Sequence, residues 1–492
     1  MDMVSPSTIF ALSSAPGRAA VAVIRISGPG AGEALRQMAG KLPEPRRAAF
    51  ATLRHPGTGE KLDQAVILFF KAPASETGED VAEIQGHGGK AVTASLLAAL
   101  ATLPGFRMAE PGEFARRAFA NGKLDLTTAE GIADLVDAET EAQRRQALTQ
   151  ASGGLGKLYD GWRSRLIEAT ALVEAAIDFS DEADVSDKAV AQAEAVAHSL
   201  ERELATHLDD RHRGEILRDG FRIVLAGPPN VGKSSLLNAL ARRDAAIVSE
   251  EAGTTRDVIE VRLDLGGLPV MLTDTAGLRE AAGPIEREGI RRTLGRAREA
   301  DLVIWLMDAA APQAHLPAEF APLSDRTLMV LNKIDLVGAH EGATPPSPLA
   351  GEGRGGGDGG MSAVGIPPTP DPSPPGGGEM QRHRLDLKPD DIVPVSARTG
   401  AGIADLTARL AAIAAERIGG DGDGPVITQA RHRQLLERAV AAVRAFLAAS
   451  PPDLELRAEE LRSAAVALGR ITGRIDVEDV LDHVFSRFCI GK

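Results

Sequence analysis

The stretch GPPNVGKSS, residues 227–235, fits the pattern G-x-x-x-x-G-K-S/T. In such a loop the glycines allow turns that other residues cannot make, so successive backbone N–H groups wrap phosphate oxygens. Lys233 is expected to reach the outer phosphates, and the Ser234 hydroxyl is expected to bind magnesium. The strand-like FRIVLAG precedes the loop and the helix-like SSLLNALARR follows it, which favours a working phosphate loop. The loop alone identifies neither the base nor the purpose of the nucleotide.

Two further segments contain side chains suited to a magnesium-bound phosphate. DTAG, 274–277, ends the strand-like PVMLTD, so Asp274 is expected to hold magnesium through water while the Gly277 N–H faces the terminal phosphate. GTTRD, 253–257, offers Thr255 as a second magnesium hydroxyl and is expected to order with GTP. Taken singly, DTAG is also compatible with an ordinary strand exit, and GTTRD with a plain loop.

The base is predicted from NKID, residues 332–335, which follow the apolar TLMVL. The Asp335 carboxylate can accept both guanine donors, whereas adenine has no such donor pair, so the predicted nucleotide is GTP. SAR, residues 396–398, follows IVPVS and adds a backbone donor for the guanine oxygen. Asn and Asp also suit a simple turn, and the order of all four motifs therefore carries the prediction.

The residue that would orient the attacking water is not evident. In Ras-type enzymes a glutamine follows DTAG, and here that position is Leu278. Either the protein is a slow binding switch, or another acid and another positive charge complete the site. Glu280, Glu286 and Glu288 are close enough in sequence to be candidates, and spacing does not choose among them.

The composition is that of a multidomain protein. The chain has 492 residues, of which 43% are hydrophobic and 25% charged, enough for two to four domains. A cytoplasmic location is expected, because no apolar run is long enough for a bilayer and the first residues lack a leader pattern. Cys489 is the only cysteine, which excludes intramolecular disulfides and paired-cysteine zinc sites. The net charge of −14 argues against a general nucleic-acid coat protein but leaves room for a specific RNA site.

Hydrophobic spacing predicts a multidomain α/β and α chain. An α+β domain is expected over 1–120, a helical domain first half over 121–216, a Ras-like P-loop G domain over 217–420 and a second helical half over 421–492. One helical domain split by an inserted G domain is the economical interpretation, and two separate helical domains would give the same pattern. Residues 341–381 are rich in Gly and Pro and are predicted to be a disordered insertion.

Specific motifs extend along nearly the whole chain. They are APGRAAVAVIRISG (15–28), TGEDVAEIQGHGG (77–89), PGEFARRAFANGKLDLTTAEGIADLVDA (111–138), EAAIDFSDE (174–182), AAIVSEEAGTTRDV, DTAGLRE and FCIGK (488–492). The FCIGK ending joined to this G-domain core is highly specific. Together these segments resemble the MnmE (TrmE) family of tRNA-modification GTPases.

The resemblance implies a fold, partners and cofactors. It implies a homodimer formed through a folate-binding N-terminal domain, and a complex with the flavoprotein MnmG, a heterotetramer. The pair would modify C5 of the wobble uridine of certain tRNAs to a carboxymethylaminomethyl-type group. The carbon would come from 5-formyl- or methylene-tetrahydrofolate, with FAD and NADH expected on the partner. GTP hydrolysis would need magnesium, G-domain dimerisation and potassium, which replaces an arginine finger.

The resemblance also implies site residues. Glu286 and Lys233 are the implied catalytic residues, and Ser234 and Thr255 the magnesium ligands. The implied potassium ligands are Asn230, Ser249, Glu251 and Thr254, and the implied folate residues are Arg25, Glu83, Lys123 and Lys492. The expected GTP contacts are Asn230, Val231, Gly232, Lys233, Ser234, Ser235, Ser249, Thr254, Thr255, Asp274, Gly277, Asn332, Lys333, Asp335, Ser396, Ala397 and Arg398. Without the resemblance, Arg25 would be interpreted as a strand-edge charge and Lys123 as a surface lysine.

Three functions remain open from the sequence. The leading one is a GTP hydrolase that forms half of a tRNA-modifying complex. The alternative is a GTP-dependent ribosome or RNA assembly switch, although such factors usually carry a basic RNA-binding domain. The third is a folate-binding scaffold whose G domain acts as a switch. Cys489 fits either a nucleophile or a buried bystander thiol.

Overall fold

The computed structural model describes most of the chain and divides it into two compact units. The described residues are 7–178, 183–243, 259–274, 293–311, 316–337, 392–419, 424–449, 453–475, 478–486, 488 and 490–491. One unit contains Met1–Gly220, Gly267–Pro269 and Ala415–Lys492, and the other contains Phe221–Gly266 and Val270–Ala414. Within the described residues, no helix has the length and apolar character needed to cross a membrane. The predicted insertion at 341–381 lies outside the described residues.

The first unit begins with a six-stranded sheet that has helices packed against both of its faces. Its strands and helices are β1 Thr8–Leu12, β2 Ala19–Ser27, β3 Ala49–Arg54, β4 Lys61–Phe70, β5 Val81–Gly88, β6 Phe106–Met108, α1 Ala31–Ala39, α2 Lys90–Ala101 and α3 Glu113–Ala120. The strand order is β3-β4-β5-β2-β1-β6, antiparallel except for the β1–β6 pair. The strands predicted at AVAVIRIS and QAVILFF and the helix predicted near 90–103 are confirmed.

Alternation along these strands separates the core from an outer face. Ile24 and Ile26 of β2 and Ile84 of β5 are buried in one apolar core with residues of α1 and α2. Because successive side chains of a strand point to opposite faces, Arg25 and Glu83 lie on the other face of the sheet. The pleat thus places the two charged side chains outside the apolar core.

Helices follow the sheet, as the 3.6-residue spacing predicts. They are α4 Leu126–Asp137, α5 Glu141–Ala151, α6 Gly154–Asp178, α7 Ala183–Leu208 and α8 Arg213–Asp219. The Asp125 side chain caps α4 by accepting from the Thr128 N–H at 2.9 Å. Thr140 and Gln143 form a capping box that starts α5.

The second unit is a doubly wound sheet. It contains β7 Phe221–Ala226, α9 Lys233–Arg243, β8 Ile259–Leu265, β9 Leu268–Asp274, β10 Leu302–Asp308, β11 Thr327–Asn332, β12 Ile392–Pro394 and α10 Ile403–Ile418. The strand order is β12-β11-β10-β7-β9-β8, and β7, β9, β10, β11 and β12 pair in parallel. The strands predicted at FRIVLAG, PVMLTD, LVIWLMD and TLMVLN are confirmed.

Strand β8 was not predicted from the sequence. It is followed by β9 after the Gly266–Gly267 turn, where both glycines have a positive φ. Leu263 and Leu265 alternate with polar residues and are buried. Two glycines between two alternating runs are a hairpin signal, and it was present in the sequence.

The first unit is completed by helices that follow the second unit in the chain, α11 Ala430–Ala448, α12 Leu454–Thr472 and α13 Glu478–Phe485. Leu436 and Phe446 of α11 and Leu468 of α12 are buried in one core with Leu166 of α6 and Leu200 of α7. Helices from both sides of the second unit therefore share a single apolar core. The boundaries at 120, 216 and 420 stay predictions.

Candidate nucleotide site and a second polar site

The turn between β7 and α9 has the backbone geometry of a phosphate loop. Gly227 has a φ of +142°, and a Cβ there would lie 2.4 Å from the Leu306 carbonyl oxygen. Gly232 has a φ of +97°, and a Cβ there would lie 2.4 Å from Asn332 Nδ2. Only glycine fits both positions, because any side chain would meet the backbone of β10 or the amide at the end of β11. Asn230, between them, is also left-handed, with a φ of 59°.

Lys233 begins α9 and folds its ammonium over the loop. Nζ donates to the carbonyl oxygens of Gly227 at 3.0 Å and Pro228 at 2.9 Å, and the residue is 9% exposed. The positive charge therefore sits inside the ring of backbone groups where phosphate oxygens are expected.

Ser234 and Asp274 bring two oxygen ligands together. Ser234 Oγ donates to Asp274 Oδ2 at 2.6 Å, and Asp274 is 1% exposed at the end of β9. Magnesium typically takes one or two protein oxygens and completes its shell with water and nucleotide phosphates, so this pair fits that ion. In the described residues, no group of three or more His, Cys, Asp or Glu could hold a metal without such help.

Asn332 and Lys333 connect the phosphate loop to the segments that are expected to bind the base. Asn332 Nδ2 donates to the Val231 carbonyl at 2.8 Å, and Asn332 Oδ1 accepts from the Ala397 N–H at 3.0 Å. Lys333 Nζ donates to the Asn230 carbonyl and to Asp308 Oδ2, both at 2.7 Å. Residues far apart in sequence are thereby fixed at one edge of the sheet.

Asp335 presents a carboxylate that is already occupied on both oxygens. Ser396 Oγ donates to Oδ1 at 2.5 Å, and Arg398 donates to Oδ2 from Nε at 2.9 Å and Nη2 at 2.6 Å. The hydrogen bonds from Ser396 and then Arg398 lower the pKa of Asp335 below its ordinary value. The Arg398 side chain is 75% exposed, so its hold on the carboxylate is readily exchanged for another donor.

A second polar site lies on the outer face of the N-terminal sheet. Arg25 and Glu83 are direct partners in the β2–β5 ladder, and Arg25 Nη2 lies 3.2 Å from Glu83 Oε1. Arg25 Nη1 also reaches Glu76 Oε2 at 2.6 Å. The Arg25 and Glu83 side chains are each 17% exposed, and the Arg25 guanidinium lies 6.0 Å from the Phe114 ring centroid. This is a half-buried site with one cation and two carboxylates.

The end of the chain packs beside this site. Ser13 Oγ donates to the Gly491 carbonyl at 2.8 Å, and Ile490 forms a β-bridge with Pro111. Gly491 has a φ of +106°, and a Cβ there would lie 2.4 Å from the Leu12 carbonyl. Because Leu12 pairs with Ile24, Gly491 lies against the strand that neighbours β2, which carries Arg25.

Lys123 lies near the loop that leads to β5. Its Cγ would be 3.4 Å from a Cβ added to Gly78, and Asn121 Nδ2 donates to the Thr77 carbonyl at 2.8 Å. The structure thus places Lys123 against the 77–79 segment, while Glu76 of the same loop binds Arg25.

Comparison with known proteins decides the family. Residues 8–123 match the family model described as the GTP-binding protein TrmE N-terminus, and residues 126–489 match the model described as the MnmE helical domain. The chain belongs to the MnmE (TrmE) family. It is thus a member of a family of tRNA modification GTPases.

Curated relatives of MnmE type match over the full length. The tRNA modification GTPase MnmE of Parvibaculum lavamentivorans is 51% identical over 99% of this chain and 100% of that protein. The proteins of the same name from Paramagnetospirillum magneticum and Rhodospirillum rubrum are 51% and 48% identical, each over 99% of both chains. Among solved structures, the G domain of the T. maritima FeoB iron transporter is 20% identical, with a TM-score of 0.24, over 39% of this chain and 98% of that one.

Some expected MnmE site residues lie outside the described residues. They are Ser249, Glu251, Thr254, Thr255, Gly277, Glu286 and Lys492, and Cys489 lies outside as well. The candidates Glu280 and Glu288 also lie outside the described residues. Of the residues the resemblance implied for potassium, the structure describes Asn230, which lies in the phosphate loop.

Sequence reasoning missed several polar residues in this MnmE-family chain. Asp308 ends β10 and binds Lys333, and an acid at the end of an apolar run was the available signal. Arg117 is 3% exposed and bridges Glu79 and Glu113. Glu79 also accepts from Ser27 Oγ at 2.7 Å. The contacts of Glu79 with Ser27 and Arg117 join distant segments, and nothing in the local sequence predicts them.

Proposed function

We propose that the protein hydrolyses GTP and, together with the flavoprotein MnmG, modifies C5 of the wobble uridine of certain tRNAs to a carboxymethylaminomethyl-type group. The observation that carries the GTP part is the meeting of four sequence-distant groups at one sheet edge: the phosphate loop, Asp274, Asp335 and the Ser396–Arg398 turn. Full-length similarity to proteins named tRNA modification GTPase supports the tRNA part.

In this proposal each group of the nucleotide site has a role. Lys233 neutralises charge on the phosphates, and Ser234, with Thr255, holds magnesium, which would offset the charge that develops on the transferred phosphoryl group. Asp335 accepts the two guanine donors, and the Ala397 N–H, held by Asn332, faces the guanine oxygen. Ser235, Val231 and Gly232 contribute backbone or side-chain donors to the phosphate oxygens.

Glu286 and potassium complete the hydrolytic site in this proposal. Leu278 has no polar atom to orient water, so Glu286 would take that role. A monovalent cation held by Asn230, Ser249, Glu251 and Thr254 would stabilise charge beside the phosphates. We propose that G domains dimerise around this cation.

The N-terminal site is proposed to hold 5-formyl- or methylene-tetrahydrofolate. Arg25 and Glu83 are half-buried and of opposite charge, which suits a ligand with a hydrogen-bonding ring and an acidic tail. Lys123 and Lys492 would bind the acidic end. The proposal includes a homodimer through the N-terminal domain, FAD and NADH on MnmG in the heterotetramer, and a cytoplasmic location.

The test of the hydrolytic proposal is GTP turnover by the purified chain in potassium and in sodium buffer. We expect strong stimulation by potassium in the wild type and its loss in Glu286→Ala, with GTP affinity retained. The control is Glu168→Ala, an exposed helix carboxylate. A turnover rate that is the same in potassium and sodium, and the same in wild type and Glu286→Ala, would contradict the proposal and favour the assembly-switch alternative.

A further inference from the structure

The free edge of the N-terminal sheet carries positive charge in an acidic protein. Residues 41–61 contain five Lys or Arg and two Glu, a net charge of +3, whereas the whole chain carries −14. Strand β3 is the last strand of the sheet on this side, so one of its two edges is unpaired. We define the β3 surface as Lys41, Arg46, Phe50, Arg54 and Lys61.

The geometry of the strands places these side chains together. Arg54 is paired with Lys61 just past a register shift between Leu53 and Arg54 in the β3–β4 ladder, and Phe50 is the partner of Val66. Since alternate residues share a face, Phe50 and Arg54 lie on the same side of β3. The Arg46 guanidinium lies 5.6 Å from the Phe70 ring centroid, and Phe70 shares the Val66 face of β4.

The cations of the β3 surface are not neutralised by carboxylates. Lys41 Nζ donates to the Phe50 carbonyl at 2.8 Å, Arg46 Nη2 to the Ala74 carbonyl at 2.6 Å, and Arg54 Nη1 to the Gly59 carbonyl at 3.0 Å. Carbonyl oxygens orient these groups without cancelling their charge. In the part of the chain that the structure describes, Lys41, Arg46, Arg54 and Lys61 form no ion pair with an acid.

Two like charges directly opposite each other in a ladder destabilise a hairpin. Arg54 and Lys61, both exposed, are paired at an irregular position of this ladder and bring two like charges to one end of the hairpin. A single lysine would be enough to keep an edge strand from pairing with another sheet. An anion bound between Arg54 and Lys61 would relieve the repulsion of the two charges.

The exposed ring of Phe50 indicates which kind of anionic partner this surface fits. Phe50 is 64% exposed in the middle of the β3 surface. Proteins that bind unpaired nucleic acid combine cations along the backbone with aromatic rings on which bases stack. An acidic peptide would use the cations but has no base to place on Phe50.

We propose that the β3 surface binds RNA, with phosphates on Lys41, Arg46, Arg54 and Lys61 and an unpaired base on Phe50. This inference rests on the proposed tRNA function and adds to it where the RNA lies on the N-terminal sheet. It uses residues that neither the nucleotide site nor the Arg25 site contains.

The test measures binding of a full-length tRNA transcript to the full chain over a range of salt concentrations. We expect Arg54→Ala/Lys61→Ala to weaken binding about tenfold and to lower the slope of log K against log salt by about 1.4, the value for two phosphates of a single strand. Phe50→Ala should weaken tRNA binding at least about fivefold while leaving binding of a loop-free RNA duplex unchanged.

The control is Arg202→Ala/Arg409→Ala, which removes the same charge from two exposed helix positions. This variant should bind tRNA like the wild type. All variants are checked for unchanged thermal unfolding, oligomeric state and GTP turnover.

Several results would overturn the proposal. If the wild type binds tRNA and the β3 variants bind equally well with the same salt slope, the surface is wrong while the tRNA function stands. If the variants keep tRNA binding but lose the flavoprotein or change the oligomeric state, the surface binds protein instead. If the wild type binds no tRNA, the proposed RNA function fails together with the surface.

Discussion

Asp335, the residue proposed to recognise guanine, already has hydrogen-bond partners on both carboxylate oxygens. The carboxylate predicted to accept guanine is bound on one oxygen by Ser396 and on the other by Arg398. Ser396 is buried and holds the carboxylate in place, whereas Arg398 is exposed and binds the oxygen that a guanine donor would use in the proposed complex. Ser396 therefore preorganises the Asp335 carboxylate, whereas Arg398 would compete with the proposed guanine for it.

Replacing Arg398 with Ala should speed nucleotide binding. In the variant, Asp335 Oδ2 has no hydrogen bond from Arg398, so none must break before a guanine donor can bind to that oxygen. An exposed ion pair is worth up to about 1 kcal/mol, so the gain in GDP affinity should not exceed about fivefold. Stopped-flow binding of a fluorescent GDP analogue measures it, with Asp335→Ala as the opposite case, weakened about 100-fold or more. A slower association in Arg398→Ala would mean that this side chain contacts the nucleotide instead.

At the scale of elements, residues 490 and 491 dock on strands of the N-terminal sheet. Gly491 passes so close to the Leu12 carbonyl that only glycine fits, and Ser13 holds its carbonyl. Leu12 of β1 pairs with Ile24 of β2, and Arg25 is the next residue along β2.

Gly491→Ala should weaken folate binding without affecting GTP turnover. The added Cβ would lie 2.4 Å from a backbone oxygen at a φ that alanine rarely adopts, so the segment must leave its place. We expect about tenfold weaker binding of 5-formyl-tetrahydrofolate by calorimetry, in keeping with the loss of one charge-assisted contact. Gly424→Ala is the matched control, since a Cβ there meets nothing within 4 Å. Unchanged folate affinity in Gly491→Ala would contradict the role of the docked end.

At the scale of the molecule, a buried charge cluster ties together helices from opposite ends of the first unit. Glu130 of α4 is 6% exposed and lies 2.8 Å from His432 Nε2 and 2.9 Å from Arg431 Nη2, both on α11. Burial by itself would raise the pKa of Glu130, but His432 and Arg431 outweigh burial and hold the pKa at about 2. The cluster joins segments that the second unit separates along the chain.

Glu130→Gln should destabilise the first unit in a pH-dependent way. Since the folded pKa lies below the ordinary value of 4.5, the carboxylate stabilises the fold fully above about pH 4.5 and progressively less as the pH falls toward 2. The variant should lose about 3–5 kcal/mol at pH 7, because the Arg431 guanidinium keeps no anionic partner, and the gap to wild type should narrow in acid. Thermal unfolding followed by circular dichroism at pH 7 and pH 3 measures this, with the exposed Glu168→Gln as control. A gap that does not change with pH would show that Glu130 is not ionised in the folded protein.

The sequence by itself determined the elements and the chemistry of the nucleotide site. Loop, strand and base motifs are local patterns, and parallel strands bring their carboxyl ends to one edge, so Lys233, Asp274 and Asp335 could be placed without a structure. Even the missed strand β8 had its signal in Gly266–Gly267. What local sequence dictates can be predicted from local sequence.

Only the tertiary structure decided which distant residues meet. The pairing of Arg398 with Asp335 and the docking of Gly491 on Leu12 each depend on packing. The burial of Glu130 against His432 depends on a core shared by helices some 300 residues apart. A single sequence contains no local trace of such contacts, because their energy comes from burial and pairing that exist only once the chain has folded.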